Sequence, residues 1–110
     1  MADHFVRVSD RILGSAEFAK LSALQIRVWL ALLLRNNGLG QASMSAAELT
    51  QACHAYSRSS IQLAVRGLES AGWLVRQPQT VDRTGAYRPR RYRVTCPVAG
   101  GLGTFGLGGA

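Results

Sequence analysis

Three stretches of the chain carry apolar residues at helical spacing, and each opens near a serine. In Leu21 to Asn36, Ser22 stands three residues before Gln25, the spacing of a capping box, while Leu21 and Ile26 stand at the spacing of a hydrophobic staple. A helix is predicted over this stretch, closed by Asn37 and Gly38. Its apolar residues Leu24, Ile26, Val28, Trp29, Leu30, Leu32, Leu33 and Leu34 cover more than one face. Such a helix either sits centrally in the core or also buries part of its surface against another subunit.

A second helix is predicted from Ser45, where Glu48 repeats the capping box and Met44 with Leu49 repeats the staple. It runs through Ala47, Leu49, Ala52 and Cys53 to an end near His54, and Ala55, Tyr56 and Ser57 turn the chain. Ser57 is the natural N-cap of a third helix, with Tyr56 and Ile61 again at staple spacing. Ile61, Ala64, Val65, Leu68 and Ala71 recur on one face, which is expected to pack inward. At 100° per residue, Ser59, Gln62, Leu63, Arg66 and Ser70 gather on the opposite face. Gly72 stands at a left-handed C′ position, with Trp73 placed to fold back on Leu68 in a Schellman close.

Periodicity changes after that stop. Leu74 to Gln77 and Tyr92 to Thr95 read as two strands, joined by PQTVDRTGAYRPRR with Pro78, Gly85 and Pro89 as breakers, a long hairpin loop. Tyr92 and Val94 alternate with Arg91 and Arg93, apolar on one face and cationic on the other. Leu39 to Met44 reads as a loop with at most a few residues of strand. Ahead of the first helix, FVRVSDRILGSAEFAK mixes a short alternating piece with a helical turn opened by Ser9 or Asp10. Its Phe5, Ile12, Leu13 and Phe18 suggest an arm packed on the body.

The expected fold class is mainly α with a small β-hairpin (α+β), built as a three-helix core plus a two-stranded hairpin. The chain has 110 residues, 47% of them hydrophobic, enough for one compact domain and too few for two. The expected division is an arm over 1–20, a domain over 21–96 and a flexible glycine-rich tail over 97–110, where Leu102, Phe105 and Leu107 leave room for a short docking motif.

Charge narrows the function. The formal net charge is +7, and Lys20 is the sole lysine, so arginine supplies nearly all of it. A polyanionic partner is implied. Six arginines (Arg76, Arg83, Arg88, Arg90, Arg91 and Arg93) lie in the hairpin against the single acid Asp82. Cys53 and Cys96, with no CxxC or HxxxH spacing around His4 and His54, read as small buried or half-buried thiols, and no metal or cofactor is expected. With no secretory signal and no apolar run near the roughly 20 residues that span a bilayer, no membrane partner and a cytoplasmic, nucleoid-associated location are expected. The six acids form no pair at motif spacing, the histidines have no nucleophile beside them, and the GLG at Gly38 or Gly106 is not set between strand and helix. No enzymatic activity is expected.

The order of helix, helix, third helix and basic hairpin resembles the winged helix-turn-helix family over roughly Leu21 to Thr95, through SAAEL, SRSSIQLAVRGLESAGWLVR and RRYRVT. The block from Ser57 to Arg76 resembles the SRSTVxRALxxLExAGxLxR pattern of MarR-like and of phage or plasmid replication regulators. The upstream FVRVSDRILGSAEFAKLSALQIRVWLALLLRNNG is similar to winged-helix proteins of plasmids and integrative elements. Two departures stand out: the joint ACHAYSRSS has no glycine and one residue more than the usual turn, and Leu63 stands where the family carries a polar side chain.

The resemblance implies double-stranded DNA as partner, with the third helix in the major groove. Gln62 and Arg66, with Ser59 and Leu63, would then meet base edges, Leu63 through a thymine methyl. Ser57, Arg58 and Ser60 at the helix start would meet phosphate, and the six hairpin arginines the flanking backbone or minor groove. One such domain covers about half of a typical bacterial operator, which implies a homodimer, with Phe5, Phe18, Trp29 and Leu33 as its candidate surface. The leading expectation is a transcriptional regulator of a plasmid, phage or integrative element. The alternatives are an origin-binding replication or partition protein and, in another class, a winged-helix protein-interaction module with Leu63 and Trp73 on its contact surface. RNA lacks the aromatic platform that single strands need. No small-molecule effector is expected, because no polar residues are clearly committed to a pocket.

Overall fold

Serine caps set where the helices begin. In the computed structural model, which describes residues 8–55 and 57–98, the Ser22 hydroxyl accepts from the Gln25 amide at 3.1 Å while Gln25 Oε1 accepts from the Ser22 amide at 2.8 Å. That box opens α3 (Ala23–Arg35). Ser45 and Glu48 form the same reciprocal pair, both bonds 3.0 Å, ahead of α4 (Ala46–Ala52). Ser57 caps α5 (Arg58–Ser70) by accepting from the Ser60 amide at 3.2 Å. Two short helices precede these, α1 (Asp10–Leu13) and α2 (Ala16–Ala19), capped by Ser9 and Ser15. Satisfying the orphan amides of each first turn in this way contributes about 1 kcal/mol per cap.

The close of α5 is a Schellman motif. Gly72 takes a φ of +87°, its amide donates to Glu69 O at 3.2 Å, and the Trp73 amide donates to Leu68 O at 2.9 Å. Ala71, expected on the inward face, is instead the exposed C-cap residue, because the helix ends one residue before it. Between α4 and α5 the chain reverses with no glycine. His54 takes the left-handed conformation, φ +51°, and Ala55 N donates to Thr50 O at 3.0 Å. Tyr56, and with it the staple to Ile61, lies outside the described residues.

Among the described residues the sheet has three strands, one more than the expected hairpin. β1 (Gln41–Ser43) and β2 (Leu74–Arg76) both pair antiparallel with a central β3 (Arg91–Val94), giving the order β1-β3-β2. The register sets Gln41 and Val75 beside Arg93, Ala42 and Arg76 beside Tyr92, Ser43 beside Arg91, and Leu74 beside Val94. Residues side by side in a ladder share a face, so Ala42, Leu74, Tyr92 and Val94 turn inward together.

The fold is therefore mixed α and β, with five helices and a small antiparallel sheet among the described residues. Its core joins Val28, Trp29, Leu32 and Leu33 of α3 to Leu49, to Ile61, Ala64, Val65 and Leu68 of α5, and to the inward sheet residues. Ile12 from α1 is fully buried in it, and Phe18 of α2 packs against it. No described helix is long and apolar enough to cross a membrane.

Trp29, the residue picked with Leu33 for a dimer surface, sits at the centre. Both are 0% exposed, so neither is available to a second copy of the chain. The Trp29 indole N–H is shared between Trp73 O at 3.1 Å and Thr95 O at 3.2 Å. Trp29, Trp73 and Phe18 meet edge to face, with ring centroids 5.3 to 6.3 Å apart. Phe18 is thus engaged inside the protomer, and Phe5 lies outside the described residues. Trp73 Nε1, by contrast, is buried with no hydrogen-bond partner among the described residues.

That asymmetry gives a test. Both tryptophans lose similar ring volume on replacement by phenylalanine, but only Trp29→Phe also removes indole hydrogen bonds: Trp73 O keeps the Thr95 amide as donor, whereas the part-buried Thr95 O loses Trp29. Trp29→Phe is expected to cost more than Trp73→Phe by about 1–3 kcal/mol in denaturant unfolding. Equal losses would remove the indole hydrogen bonds from any structural role.

Candidate nucleic-acid interface

The exposed face of α5 carries the residues expected there. Ser59, Gln62, Leu63 and Arg66 are all exposed, Leu63 at 65%, while Ile61, Ala64, Val65 and Leu68 are buried beneath them. The apolar and polar faces of one amphipathic helix are thereby separated. Ser57 and Ser60 are partly committed elsewhere: the Ser57 hydroxyl caps the helix and lies 3.2 Å from that of Ser60. Arg58 and Ser59 are the exposed groups of the first turn that the cap does not use.

Beside this face runs a groove of about 400 Å³ between α5 and the β2–β3 hairpin. Gln62 and Val65 form one wall, and Arg76, Gln79, Tyr87, Arg88 and Arg90 the other. Arg90 is held half-buried, its guanidinium donating to Gln77 O at 3.1 Å.

The hairpin arginines do not form one surface. Arg76 shares the inner sheet face with Tyr92, at its edge, where Glu69 Oε1 lies 2.9 Å from its guanidinium. Arg91 and Arg93 occupy the opposite sheet face with Gln41, Ser43 and Val75, turned away from the core and the groove. Arg83 sits in the turn between Val81 and Tyr87, which form an isolated antiparallel bridge. Alternation along the sequence shows that two faces exist, but only the ladder shows which of the six arginines share one. Arg88 and Arg90 are the groove cations with no acid paired to them among the described residues.

Two groove residues were missed in the sequence, Gln79 and Tyr87. Tyr87 is 76% exposed at the hairpin's far end. Its signal was legible, since Val81 and Tyr87 flank Asp-Arg-Thr-Gly-Ala, a turn sequence with glycine at a φ of +87°. Asp82 organises that turn: its carboxylate accepts from Thr84 N at 2.8 Å, Thr84 Oγ1 at 2.6 Å and Ala86 N at 3.1 Å. Those bonds hold the Asp82 carboxyl below its ordinary value, the Thr84 hydroxyl foremost.

No three described histidine, cysteine, aspartate or glutamate side chains come together as a metal site would require. Cys53 is buried and Cys96 partly so, and desolvation pushes both thiols up, away from the reactive thiolate. A scan against protein-family models, a search of curated proteins and a search of solved structures each returned no match to the chain.

The Arg76 hydrogen bond holds the Glu69 carboxyl below its ordinary value. A depressed carboxylate stabilises the fold above its unfolded-state pKa, and the benefit is lost as pH falls through the lower folded value. The pair is solvent-exposed, so it is worth at most about 1 kcal/mol. Glu69→Gln should therefore be slightly less stable than the parent at neutral pH, and the gap should close below the ordinary carboxylate range. A gap that persists at acid pH would show that the carboxylate charge is not its source.

Proposed function

We propose that the chain is a sequence-specific double-stranded DNA-binding protein of the winged helix-turn-helix type, a transcriptional regulator of a bacterial plasmid, phage or integrative element. The observation that carries this reading is the exposed face of α5, bearing Gln62 and Arg66, running beside a groove whose other wall holds Arg88 and Arg90. An α-helix fits the major groove of B-DNA, and a planar guanidinium or a carboxamide can read guanine or adenine through paired hydrogen bonds. In this reading α5 is the recognition helix, the hairpin is the wing, and Arg88 and Arg90 grip the flanking backbone.

The revised arginine map sharpens the proposal. Arg91 and Arg93 face away from the groove, so they add to the long-range field that steers DNA toward the protein more than to its grip. Arg76 is half-neutralised by Glu69. The reading includes a homodimer on a pseudo-palindrome, assembled through surfaces other than Trp29 and Leu33. Leu63, exposed among polar residues, suits the apolar partner of the competing protein-interaction reading as well as a thymine methyl, but Trp73, the other residue of that surface, is 0% exposed and closed to a partner. An origin-binding role would use the same DNA surface and differ in having repeated sites.

Titration with random duplex DNA at low and moderate salt separates these classes. Binding that weakens steeply as salt rises is expected, from release of condensed counterions. Absence of salt-sensitive binding would overturn the DNA reading and favour the protein partner. Selection of bound fragments from the source genome then tells a single operator from repeated origin sites.

Division of roles is tested by two substitutions. Arg66→Ala should cost about 1–3 kcal/mol and relax specificity at one base position, whereas Arg88→Ala should weaken all sequences alike and lower the salt slope by about 1. Equal, sequence-independent losses from both would reject that division.

A further inference from the structure

Among the described residues the second apolar face of α3 is left open. Val28, Trp29, Leu32 and Leu33 fill the core, but Arg27, Leu30, Ala31, Leu34 and Arg35 run along the outside at the three- and four-residue steps of one helical stripe. Together with Met44, Ala52 and His54 they line a groove of about 700 Å³ between α3 and α4. Leu34 is 44% exposed, and Leu30 and Ala31 are half-buried. The floor is apolar and the rim cationic. No described aspartate or glutamate lines it.

We propose that this groove is the docking site for an acidic amphipathic helix of a partner protein. Charge complementarity selects that occupant. Among the described residues, Arg27 donates to the neutral Cys53 O at 3.4 Å and meets no acid, and Arg35 meets only Glu48, at 3.4 Å. A second copy of the chain is a poor fit. Packed antiparallel about Ala31, two α3 helices set Arg27 of each copy opposite Arg35 of the other, and packed parallel they set each arginine against its own counterpart. The tail over 99–110 has apolar residues but no acid to meet the rim. Nucleic acid would suit the arginines but gains nothing from Leu30, Leu34 and Met44. A helix with leucines at i, i+3, i+4 and i+7 and flanking carboxylates meets both floor and rim. The site is independent of the DNA reading, since it shares no lining residue with the groove beside α5.

The test is fluorescence anisotropy of the full chain with a labelled synthetic helix of that pattern, leucines on one face and glutamates beside them. Two control peptides are a same-charge version with serine for leucine and a same-leucine version with lysine for glutamate. Binding of the first peptide alone is expected, weakened roughly tenfold or more by Leu34→Gln, as befits loss of a central apolar anchor. Arg27→Gln should weaken it too, whereas Leu13→Gln, an exposed leucine on α1, should not. Leu34 is partly exposed, so its variant should unfold at the parental temperature. Equal binding of the serine peptide would mean non-specific attraction to a basic protein, and equal binding of the lysine peptide would mean that charge does not choose the partner. Either outcome, or indifference to Leu34→Gln, overturns the proposal. So would sedimentation showing a dimer that Leu34→Gln dissociates, which would make the occupant a second copy.

Discussion

A single indole N–H joins the parts of this molecule that sequence keeps far apart. Trp29 lies in the middle of α3, and the two carbonyls it reaches belong to Trp73, just past the stop of α5, and to Thr95, just past the end of β3. Those two segments are themselves tied, because the Thr95 amide donates to Trp73 O at 2.9 Å and its hydroxyl to Gly72 O at 2.7 Å. Trp73 O thus accepts from both the Thr95 amide and the indole, and Thr95 O from the indole, so helix end and strand end meet at Trp29. The edge-to-face packing of Phe18 and Trp73 then closes the space around that donor. Where α5 ends and where the hairpin starts are in this way one constraint.

A close contact with α3 seats α5 beside the groove that it forms with the hairpin. α5 approaches α3 closely enough that a β-carbon at Gly67 would run into the amide of Gln25, whose oxygen completes the capping box of α3. Glycine inside a helix costs about 1 kcal/mol against alanine. Clearance over a side chain already committed to a cap is what that cost secures. With the inner face of α5 seated by Gly67, Ala64 and Leu68, the azimuth of the helix is set, and with it the direction of Gln62 and Arg66.

Local features were legible in the sequence because their causes are local. Ser22 with Gln25, Ser45 with Glu48, Ser57 as a cap and Gly72 with Trp73 are each settled within a few residues, and each is present as read. Pairing across the chain was not legible. A few residues of strand are expected within Leu39–Met44, but Gln41–Ser43 is three residues long and its partner lies some fifty residues on, so neither length nor alternation announces the pairing. Trp29 and Leu33 were misassigned for a related reason: apolar residues all round a helix show that every face wants cover, not which cover each face receives. The short helices α1 and α2 and the sheet supply it for Trp29, while among the described residues Leu34 stays 44% exposed. The turn through His54 shows a different limit, since a left-handed residue was needed and the sequence held no glycine to mark it.

Stiffness in the hairpin bears on how a surface with few fixed cations could act on a large polyanion. The far end is not slack chain: Asp82 N donates to Ala86 O, Arg88 N to Thr80 O, and Gln79 Nε2 to Arg88 O, each at 2.9 Å. Ordering a free loop of this length on binding would cost about 1–2 kcal/mol for each residue fixed. Because the Asp82 turn and these cross-links order the loop beforehand, Arg88 and Tyr87 are held in place relative to α5 without that expense. Under the DNA reading, two unpaired groove arginines on a stiff hairpin then give a more definite register than six on a mobile one. Long-range attraction needs only net charge, which Arg91 and Arg93 supply from the far sheet face. Register needs fixed positions, and the groove is where the molecule has them.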